Sequence, residues 1–372
     1  MRIHFFQPEQ FNRTENKTNP FFDPLIEVCQ HNNIPYKVFI AEKQLTRNGY
    51  GNKAGNSWNL VLPEILGFRL IKWFQLPSRL VWYIAGFIIN ILTLGKYRAD
   101  ICITVAGIHL EILQGIAPKA RLVDLQHGVI FPHHTGYFDS DGKLLPRLQE
   151  NPQREYWLYG QGFKGVFLKN PYNHELLENK IFIVGNLLNR KVISLQTHTR
   201  NSIVFSLQYT DSLSQEQMKC LTEDIADLLG KIQASDLNKR YQIIMKHHPR
   251  YQNCYDLSSL QQKYPWIIFS TTTTEKLIFV AKFHITAYST TAFDYALKGV
   301  PTLFFYDGNN PEGKEFLEGL HYNAVKSFDD MLEQLNDHSA YERTSQAVIR
   351  WAQDFYAEVD REQLMRILNL PE

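Results

Sequence analysis

The chain has 372 residues, and its 39 Lys and Arg residues against 38 Asp and Glu residues leave a formal net charge of +1. This balance argues against non-specific electrostatic binding of nucleic acid. The length suffices for two domains of ordinary size. Neither a CxxC pair nor zinc-ligand spacing is present among the four cysteines, so no disulfide framework is indicated; they are Cys29, Cys102, Cys220 and Cys254. The chain starts without a signal-peptide pattern, so we expect a cytoplasmic protein.

Strand-like and helical segments alternate through the first half of the chain. Short runs rich in β-branched and aromatic residues predict strands at 3–6, 36–40, 101–105, 121–125, 155–159 and 180–184. Such alternation is typical of a doubly wound parallel sheet with helices on both faces. We therefore predict a Rossmann-like domain over residues 1–188.

One segment of this first half, residues 68–98, combines basic and aromatic side chains with an uncharged run from Leu80 to Leu94. The run is too short for a membrane span, which needs about 20 residues. One interpretation is one or two buried helices of the first domain. The alternative is an interfacial patch that makes peripheral contact with a membrane near a lipid-linked acceptor.

The alternation restarts after a polar stretch at 185–201, where we place the linker. Strands are predicted at 202–206, 241–245, 266–269, 283–286 and 301–305. Apolar residues at three- and four-residue steps predict a helix over 214–232, and residues from 328 onward look helical. A second Rossmann-like domain is therefore predicted over 189–372, and a cleft should face the carboxyl ends of both sheets.

The segment 286–305 predicts a hydroxyl-rich turn that opens a helix and is followed by a strand. Ser289, Thr290 and Thr291 would add hydroxyl donors to the unpaired backbone N–H groups of the helix start, which is a favourable place for phosphate. The plainer alternative is that the threonines cap the helix and that Asp294 is a solvated first-turn carboxylate.

Forty residues upstream, Lys246, His247 and His248 end another apolar strand and are followed by Pro249 and Arg250. They supply cationic or proton-donating groups, and two such strand ends in one parallel sheet would form a pocket for a nucleotide mono- or diphosphate. A protonated imidazole could stabilise a departing phosphate. A polar loop without function is the alternative.

In the first half, His127 follows a predicted strand and precedes a glycine, so it should lie at the carboxyl end of that strand, which is a catalytic position. An imidazole there could take a proton from an acceptor hydroxyl. The alternative is a histidine that satisfies backbone groups in a tight turn. Glu111, at the start of a predicted helix, is the competing base. Asp139 and Asp141 fit a hairpin turn better than a metal motif. His109, His127, His133 and His134 have no carboxylate at ligand spacing, so we expect no metal.

Three of these elements resemble known families. The pattern Ser289-x4-Asp294-x4-Gly299-x-Pro301 resembles the donor-binding motif of GT-B glycosyltransferases and related nucleotide-sugar epimerases. The His248-Pro249 pair resembles the HP element of bacterial sialyltransferases, capsule Kdo transferases and teichoic-acid glycerophosphotransferases, and His127-Gly128 is similar to the His-Gly element of the last group.

The resemblance implies two Rossmann-like doubly wound domains facing across a cleft and a metal-independent glycosyltransferase of bacterial surface polysaccharides. The donor would be a nucleotide-activated sugar, CMP-linked or else UDP-linked, with no further cofactor, and the acceptor a hydroxyl of a capsule or lipopolysaccharide glycan. Lys246, His247, His248 and the three hydroxyl residues would bind its phosphate, Asp294 would orient ribose or sugar, and Glu312 could contact either. A CDP-glycerol-type polyol-phosphate transferase, an epimerase of the same fold and a non-catalytic binding protein remain open.

Overall fold

A computed structural model describes residues 1–8, 19–41, 78–107, 110–149, 151–188, 200–210, 213–248, 251, 255–305 and 314–369. The chain divides into two compact units. The first comprises Met1–Arg190 together with Ala357–Glu372, and the second comprises Lys191–Tyr356.

The first unit is built around a six-stranded parallel sheet. Its strands are β1 (Ile3–Pro8), β2 (Tyr36–Ala41), β3 (Ile101–Val105), β4 (Arg121–Leu125), β5 (Arg154–Leu158) and β6 (Ile181–Ile183). They lie in the order β2-β1-β3-β4-β5-β6. Its helices are α1 (Asp23–His31), α2 (Ser78–Leu92), α3 (Leu110–Ile116), α4 (Pro146–Gln149), α5 (Gln161–Leu168) and α6 (Pro171–Leu177).

The second unit is built around a five-stranded parallel sheet. Its strands are β7 (Ser202–Ser206), β8 (Gln242–Lys246), β9 (Ile267–Phe269), β10 (Ala281–Thr286) and β11 (Thr302–Phe304). They lie in the order β11-β10-β7-β8-β9. Its helices are α7 (Gln215–Ala234), α8 (Leu237–Arg240), α9 (Ser258–Lys263), α10 (Thr274–Val280), α11 (Thr291–Ala296), α12 (Phe328–Asn336) and α13 (His338–Phe355), with a π-helical turn at Glu315–Gly319.

The local sequence explains these elements. Every residue of β3 and of β7 is buried, as expected for central parallel strands that are covered on both faces. Helix α7 begins with a capping box in which the Ser214 hydroxyl accepts from the Gln217 N–H at 3.2 Å and the Ser214 N–H donates to the Gln217 side chain at 2.8 Å. The alternation of apolar runs therefore predicted the strands of both sheets correctly.

The last residues of the chain return to the first unit, whereas the sequence had assigned all of 189–372 to the second domain. Beyond Tyr356, Ala357 donates its N–H to the Tyr159 carbonyl at 3.1 Å and accepts from the Asn186 N–H at 2.8 Å. Helix α14 (Arg361–Ile367) is held by Arg121, whose Nη1 donates to the Ile367 carbonyl at 2.8 Å. Periodicity predicts such a helix, but not which sheet it will contact.

Helices α2 and α3 cross at two glycines. A Cβ atom added at Gly86 would collide with the Ile112 carbonyl oxygen, and one added at Gly115 would collide with the Tyr83 carbonyl oxygen. This close contact fixes α2 on the first unit and buries one of its sides. None of the described helices combines the length and the apolar character that crossing a bilayer requires.

Each sheet has a point at which its strand order reverses. In the first sheet the reversal lies between β1 and β3, and in the second it lies between β7 and β10. Ligands of open α/β sheets bind outside the carboxyl ends of the strands at such points. In the second unit this position is formed by the ends of β7 and β10, at Ser206 and Thr286.

One buried group in the first sheet makes folding sensitive to acid. His4 is fully buried in β1, its ring packs edge-on against Phe39 at 5.0 Å, and burial with the nearby charges of Lys37 and Arg2 lowers its pKa to about 4. In the unfolded chain His4 therefore binds a proton below about pH 6.5, whereas in the folded chain it does not. The contribution of the neutral His4 to the free energy of unfolding is fully present above that pH and is lost as the pH falls towards 4.

Between pH 7 and pH 4, the unmutated protein should lose up to about 3 kcal/mol of its free energy of unfolding through protonation of His4. We expect His4→Phe to abolish this loss. Urea unfolding at both pH values measures this difference, with His338→Phe, which changes an exposed histidine, as the control. Equal acid sensitivity of the His4→Phe variant and the unmutated protein would contradict the assignment.

Candidate functional site

The predicted phosphate-binding residues of the second unit lie at the carboxyl ends of its strands. The segment 287–290 connects β10 to α11, and β8 ends at Lys246. Strand β7 lies between these two strands and ends at Ser206, whose register partners are Thr286 on one side and Lys246 on the other. The two motifs that the sequence singled out therefore flank the carboxyl end of β7.

A chain of hydroxyl groups links this position to the interior. The Ser289 and Thr291 hydroxyls lie 2.8 Å apart and share a hydrogen bond, and Thr291 Oγ1 donates to Ser206 Oγ at 3.4 Å. Thr286 Oγ1 donates to the Ser206 carbonyl at 2.8 Å and accepts from the Ser289 N–H at 3.3 Å. The turn after β10 is thereby tied to the end of β7.

The chain of hydroxyls ends on a buried histidine. His284 Nε2 lies 2.8 Å from Ser206 Oγ, and its Nδ1 lies 3.0 Å from Thr302 Oγ1 on β11. The ring stacks on Tyr295 of α11 with centroids 4.0 Å apart. Burial lowers the pKa of His284 to about 3, so the imidazole is neutral near pH 7 and has one donor and one acceptor nitrogen.

Sequence analysis missed Ser206 and His284. A histidine inside an otherwise apolar strand is the signal that could have found the second of them, because a buried imidazole needs partners for both of its nitrogens. Its partner Ser206 lies 78 positions away, and no local motif connects the two.

The three predicted hydroxyl residues differ in exposure. Ser289 is buried, Thr291 is half-buried and Thr290 is exposed. The Thr290 side chain makes no capping bond to α11, whereas Ser289 Oγ accepts from the Thr291 N–H at 3.3 Å. Thr290 and Thr291 thus border solvent, while Ser289 supports the turn from within.

The strand end at β8 carries a buried cation followed by two imidazoles. The Lys246 side chain is buried beside the end of β7. The backbone carbonyl of Lys246 accepts from the Leu207 N–H at 2.9 Å. The His247 ring stacks on Phe269 with centroids 5.4 Å apart, and burial together with Lys246 lowers its pKa. His248 is half-buried, and its ring packs on the Tyr251 ring with centroids 4.9 Å apart. A lysine and two histidines at one strand end suit an anion.

Asp294 lies in the first turn of α11 and is exposed. The protein around its carboxylate and, secondarily, the charge of Glu275 raise its pKa to about 7. Water at the exposed side chain opposes part of that rise. The carboxylate oxygens can accept hydrogen bonds from sugar hydroxyls.

Aromatic packing holds α11 in place behind the turn. The Phe293 ring is stacked between Trp351 and Tyr356, with centroids 4.4 Å from each. Trp351 is itself fixed by a hydrogen bond from its Nε1 to the Leu320 carbonyl at 2.8 Å. The helix that carries Asp294 is therefore anchored from the side opposite the solvent.

In the first unit, His127 lies where the sequence predicted, directly after β4, and is half-buried. The preceding Gln126 is buried, accepts from the Tyr159 N–H at 2.8 Å and donates to the Gly128 carbonyl at 2.7 Å. This side chain bridges the turn on both sides of His127, so the position of the imidazole is set by β5 as well as by β4.

A buried ion pair supports the same strand end. Arg154 Nη2 lies 2.6 Å from Asp124 Oδ2, and a Cβ atom added at Gly107 would meet both groups. Burial raises the pKa of the Asp124 carboxyl, whereas the guanidinium favours its ionised form. Burial would lower the pKa of Arg154, but the Asp124 carboxylate raises it, so the guanidinium stays charged and forms an ion pair with that carboxylate.

The remaining candidates have different outcomes. Glu111 lies in the first turn of α3, after β3, as predicted. Asp139 forms the predicted hairpin turn, because its Oδ1 accepts from the N–H groups of Asp141 at 3.0 Å and Lys143 at 2.9 Å. Glu312 and His109 lie outside the described residues. The predicted cleft between the domains stays a prediction.

Comparison with known proteins identifies a family similarity in the second half of the chain. A family described as CDP-glycerol:poly(glycerophosphate) glycerophosphotransferase matches residues 215–370. That segment begins at α7 and includes β8, the turn after β10 and α11. Among curated proteins no sequence matches this chain.

Solved structures share the fold over nearly the whole chain. A UDP-GlcNAc 2-epimerase from Neisseria meningitidis has a TM-score of 0.55 at 11% identity and covers 99% of both chains. A UDP-GlcNAc 2-epimerase from Methanocaldococcus jannaschii has a TM-score of 0.56 at 13% identity, and the match again covers 99% of both chains. The glycotransferase of kitacinnamycin has 0.55 at 11%, covering 100% of this chain and 99% of its own. The predicted fold class, two Rossmann-like units of the GT-B type, is confirmed.

The hydroxyl chain gives a stability prediction. We expect Ser206→Ala to lower the free energy of unfolding by about 1 to 3 kcal/mol, because His284 Nε2 is left without its buried partner. Thr290→Ala, which removes an exposed hydroxyl of the same turn, should change it by less than about 0.5 kcal/mol. Chemical unfolding of both variants decides the matter, and equal effects would show that the chain of hydrogen bonds does not support the turn.

Proposed function

We propose that this protein is a transferase that takes a group from a cytidine-nucleotide-activated donor and passes it to a hydroxyl of a surface glycan, with CMP as the leaving group. The observation that carries the proposal is the polar strand-end site of the second unit. It combines Lys246, the imidazoles of His247 and His248, and the hydroxyl-rich turn after β10 at the point of strand-order reversal.

The chemistry of this site favours a phosphate ester. Lys246 supplies a cation, the exposed Thr290 supplies a hydroxyl donor, and His248 can donate a proton when it is protonated. The hydroxyl chain to His284 holds the turn in a fixed geometry before any ligand arrives, so less ordering is required on binding. Such preorganised donors stabilise negative charge as it develops on a leaving phosphate.

The family similarity of residues 215–370 supports the cytidine nucleotide. A CMP-linked sugar and CDP-glycerol differ in the group transferred, yet both release CMP. With a CMP-linked sugar, the acceptor oxygen forms a bond to the anomeric carbon and the bond from that carbon to the phosphate oxygen breaks. With CDP-glycerol, the acceptor oxygen forms a bond to the outer phosphorus and the bridging P–O bond breaks towards CMP.

Sugar transfer is the function we favour, and polyol-phosphate transfer is the second candidate, because the matching family is a glycerophosphotransferase. In either reaction the acceptor hydroxyl must lose its proton. In our proposal His127 accepts it, with Glu111 as the alternative base. Asp294 would bind ribose or sugar hydroxyls, and His248 with Ser289, Thr290 and Thr291 would stabilise the departing phosphate.

A ligand screen tests the donor half of the proposal. In thermal unfolding with CMP, CDP, UDP and GDP, we expect CMP and CDP to stabilise the protein, by about 2.7 kcal/mol at 100 times the dissociation constant. Lys246→Met should weaken this effect, whereas Lys219→Met, which changes an exposed lysine of α7, should not. Stabilisation by UDP or GDP alone would refute the cytidine assignment.

A base variant tests the catalytic half. We expect His127→Ala to lower the rate of transfer by about 10² to 10⁴ while leaving CMP affinity unchanged, because a general base contributes to the reaction and not to nucleotide binding. His133→Ala, which removes an exposed imidazole from the same segment, is the matched control. CMP release from CMP-linked sugars and from CDP-glycerol measures the rate. Full activity of His127→Ala would transfer the role to Glu111.

A further inference from the structure

Helix α2 is apolar on all sides, but the first unit covers only one of them. Its inner side, with Val81, Ala85 and Ile89, is buried, and Gly86 lies against α3. A helix of such composition is normally buried all round. The uncovered side of α2 therefore requires a physical explanation.

The outer face of α2 consists of five large apolar side chains that follow one another at steps of one, three or four residues. Their exposed fractions are 46% for Leu80, 36% for Ile84, 42% for Phe87, 41% for Ile88 and 56% for Ile91. Residues at these spacings lie along one side of a helix. Leu92 and Leu94, exposed by 77% and 95%, extend the outer face at the end of the helix.

The charged residues of the segment that contains α2 have one sign in the sequence. From Ile65 to Ala99 the sequence contains no Asp or Glu, although the whole chain is nearly balanced. Its basic residues are Arg69, Lys72, Arg79, Lys96 and Arg98. Lys96 and Arg98 are exposed directly after α2, and Arg98 Nε donates to Asn90 Oδ1 at 3.0 Å, which fixes that guanidinium at the end of the helix.

We propose that the outer face of α2 binds the surface of a lipid bilayer that contains anionic lipids. Apolar side chains on an otherwise packed helix enter the boundary between headgroups and acyl chains, and the exposed Lys96 and Arg98 at the end of the helix are attracted to anionic headgroups. Helix α2 has 15 residues, fewer than the roughly 20 that span a bilayer, and its inner side is occupied by α3. It therefore lies on the membrane and does not cross it.

Charge complementarity favours lipid over two other occupants. A second copy of the chain would bring the same basic residues against themselves across a two-fold interface, where they repel. Residues 42–77 of this chain contain five basic residues, Lys43, Arg47, Lys53, Arg69 and Lys72, but only two acidic ones, Glu42 and Glu64. That segment has no excess of negative charge to pair with Lys96 and Arg98 beside the outer face.

The proposal is independent of the proposed reaction, because it concerns a surface without substrate. A transferase held in this way would meet glycans that are attached to membrane lipids. Failure of vesicle binding would leave the donor and base predictions untouched, and failure of those predictions would leave this one untouched.

Vesicle co-sedimentation of the full chain tests it. We expect binding to vesicles of phosphatidylcholine with phosphatidylglycerol, weaker binding to phosphatidylcholine alone, and loss of binding as salt rises. Ile88→Glu should weaken binding at least about tenfold, because it places a charge on the face that enters the lipid. Ile268→Glu, which changes an exposed isoleucine of β9 in the second unit, should bind as the unmutated protein does.

Three results would overturn the proposal. The first is absence of binding to anionic vesicles, and the second is equal binding by Ile88→Glu and Ile268→Glu. The third is evidence that protein, and not lipid, covers the outer face of α2. A large fall in the thermal midpoint of Ile88→Glu, or a dimer that this substitution dissociates, would show that protein covers the outer face. An unchanged midpoint and a monomeric state support lipid.

Discussion

The second unit depends on one neutral imidazole. His284 accepts a hydrogen bond at one ring nitrogen and donates at the other, to hydroxyls on the two strands that flank β10. Through Ser206 this arrangement reaches Thr291 and Ser289, so three strands and the start of α11 share one chain of hydrogen bonds. A charged imidazole has no acceptor nitrogen, so both hydroxyls would have to accept from it, and burial of the charge lowers the pKa and prevents protonation near neutral pH.

This constraint explains how a polar turn can be rigid at the edge of a sheet. Loops at strand ends are usually mobile, and a mobile phosphate site must be ordered each time it binds. Here the turn is held from below by the hydroxyl chain and from behind by the stacked rings of Phe293, Trp351 and Tyr356. The exposed Thr290 and Asp294 are left free to meet a ligand, while their supports are buried.

Periodicity and local motifs predicted the strands, the two-unit GT-B fold and the positions of Lys246, Ser289 and His127 at strand ends, because these properties depend on short stretches of sequence. The network around His284 could not be predicted in this way. Its members come from β7, β10, β11 and α11, and their contact depends on strand order, which no single stretch encodes. The return of α14 to the first unit was missed for the same reason, since amphipathic helices do not specify the sheet they cover.

The most direct test of the central claim is a crystal structure of the protein with CMP. We expect the phosphate outside the carboxyl ends of β7 and β10, within hydrogen-bond distance of Thr290 or Thr291 and close to Lys246, with the hydroxyl chain to His284 unchanged. Density for the nucleotide elsewhere, or a turn after β10 that makes no contact with its phosphate, would refute the assignment of this site.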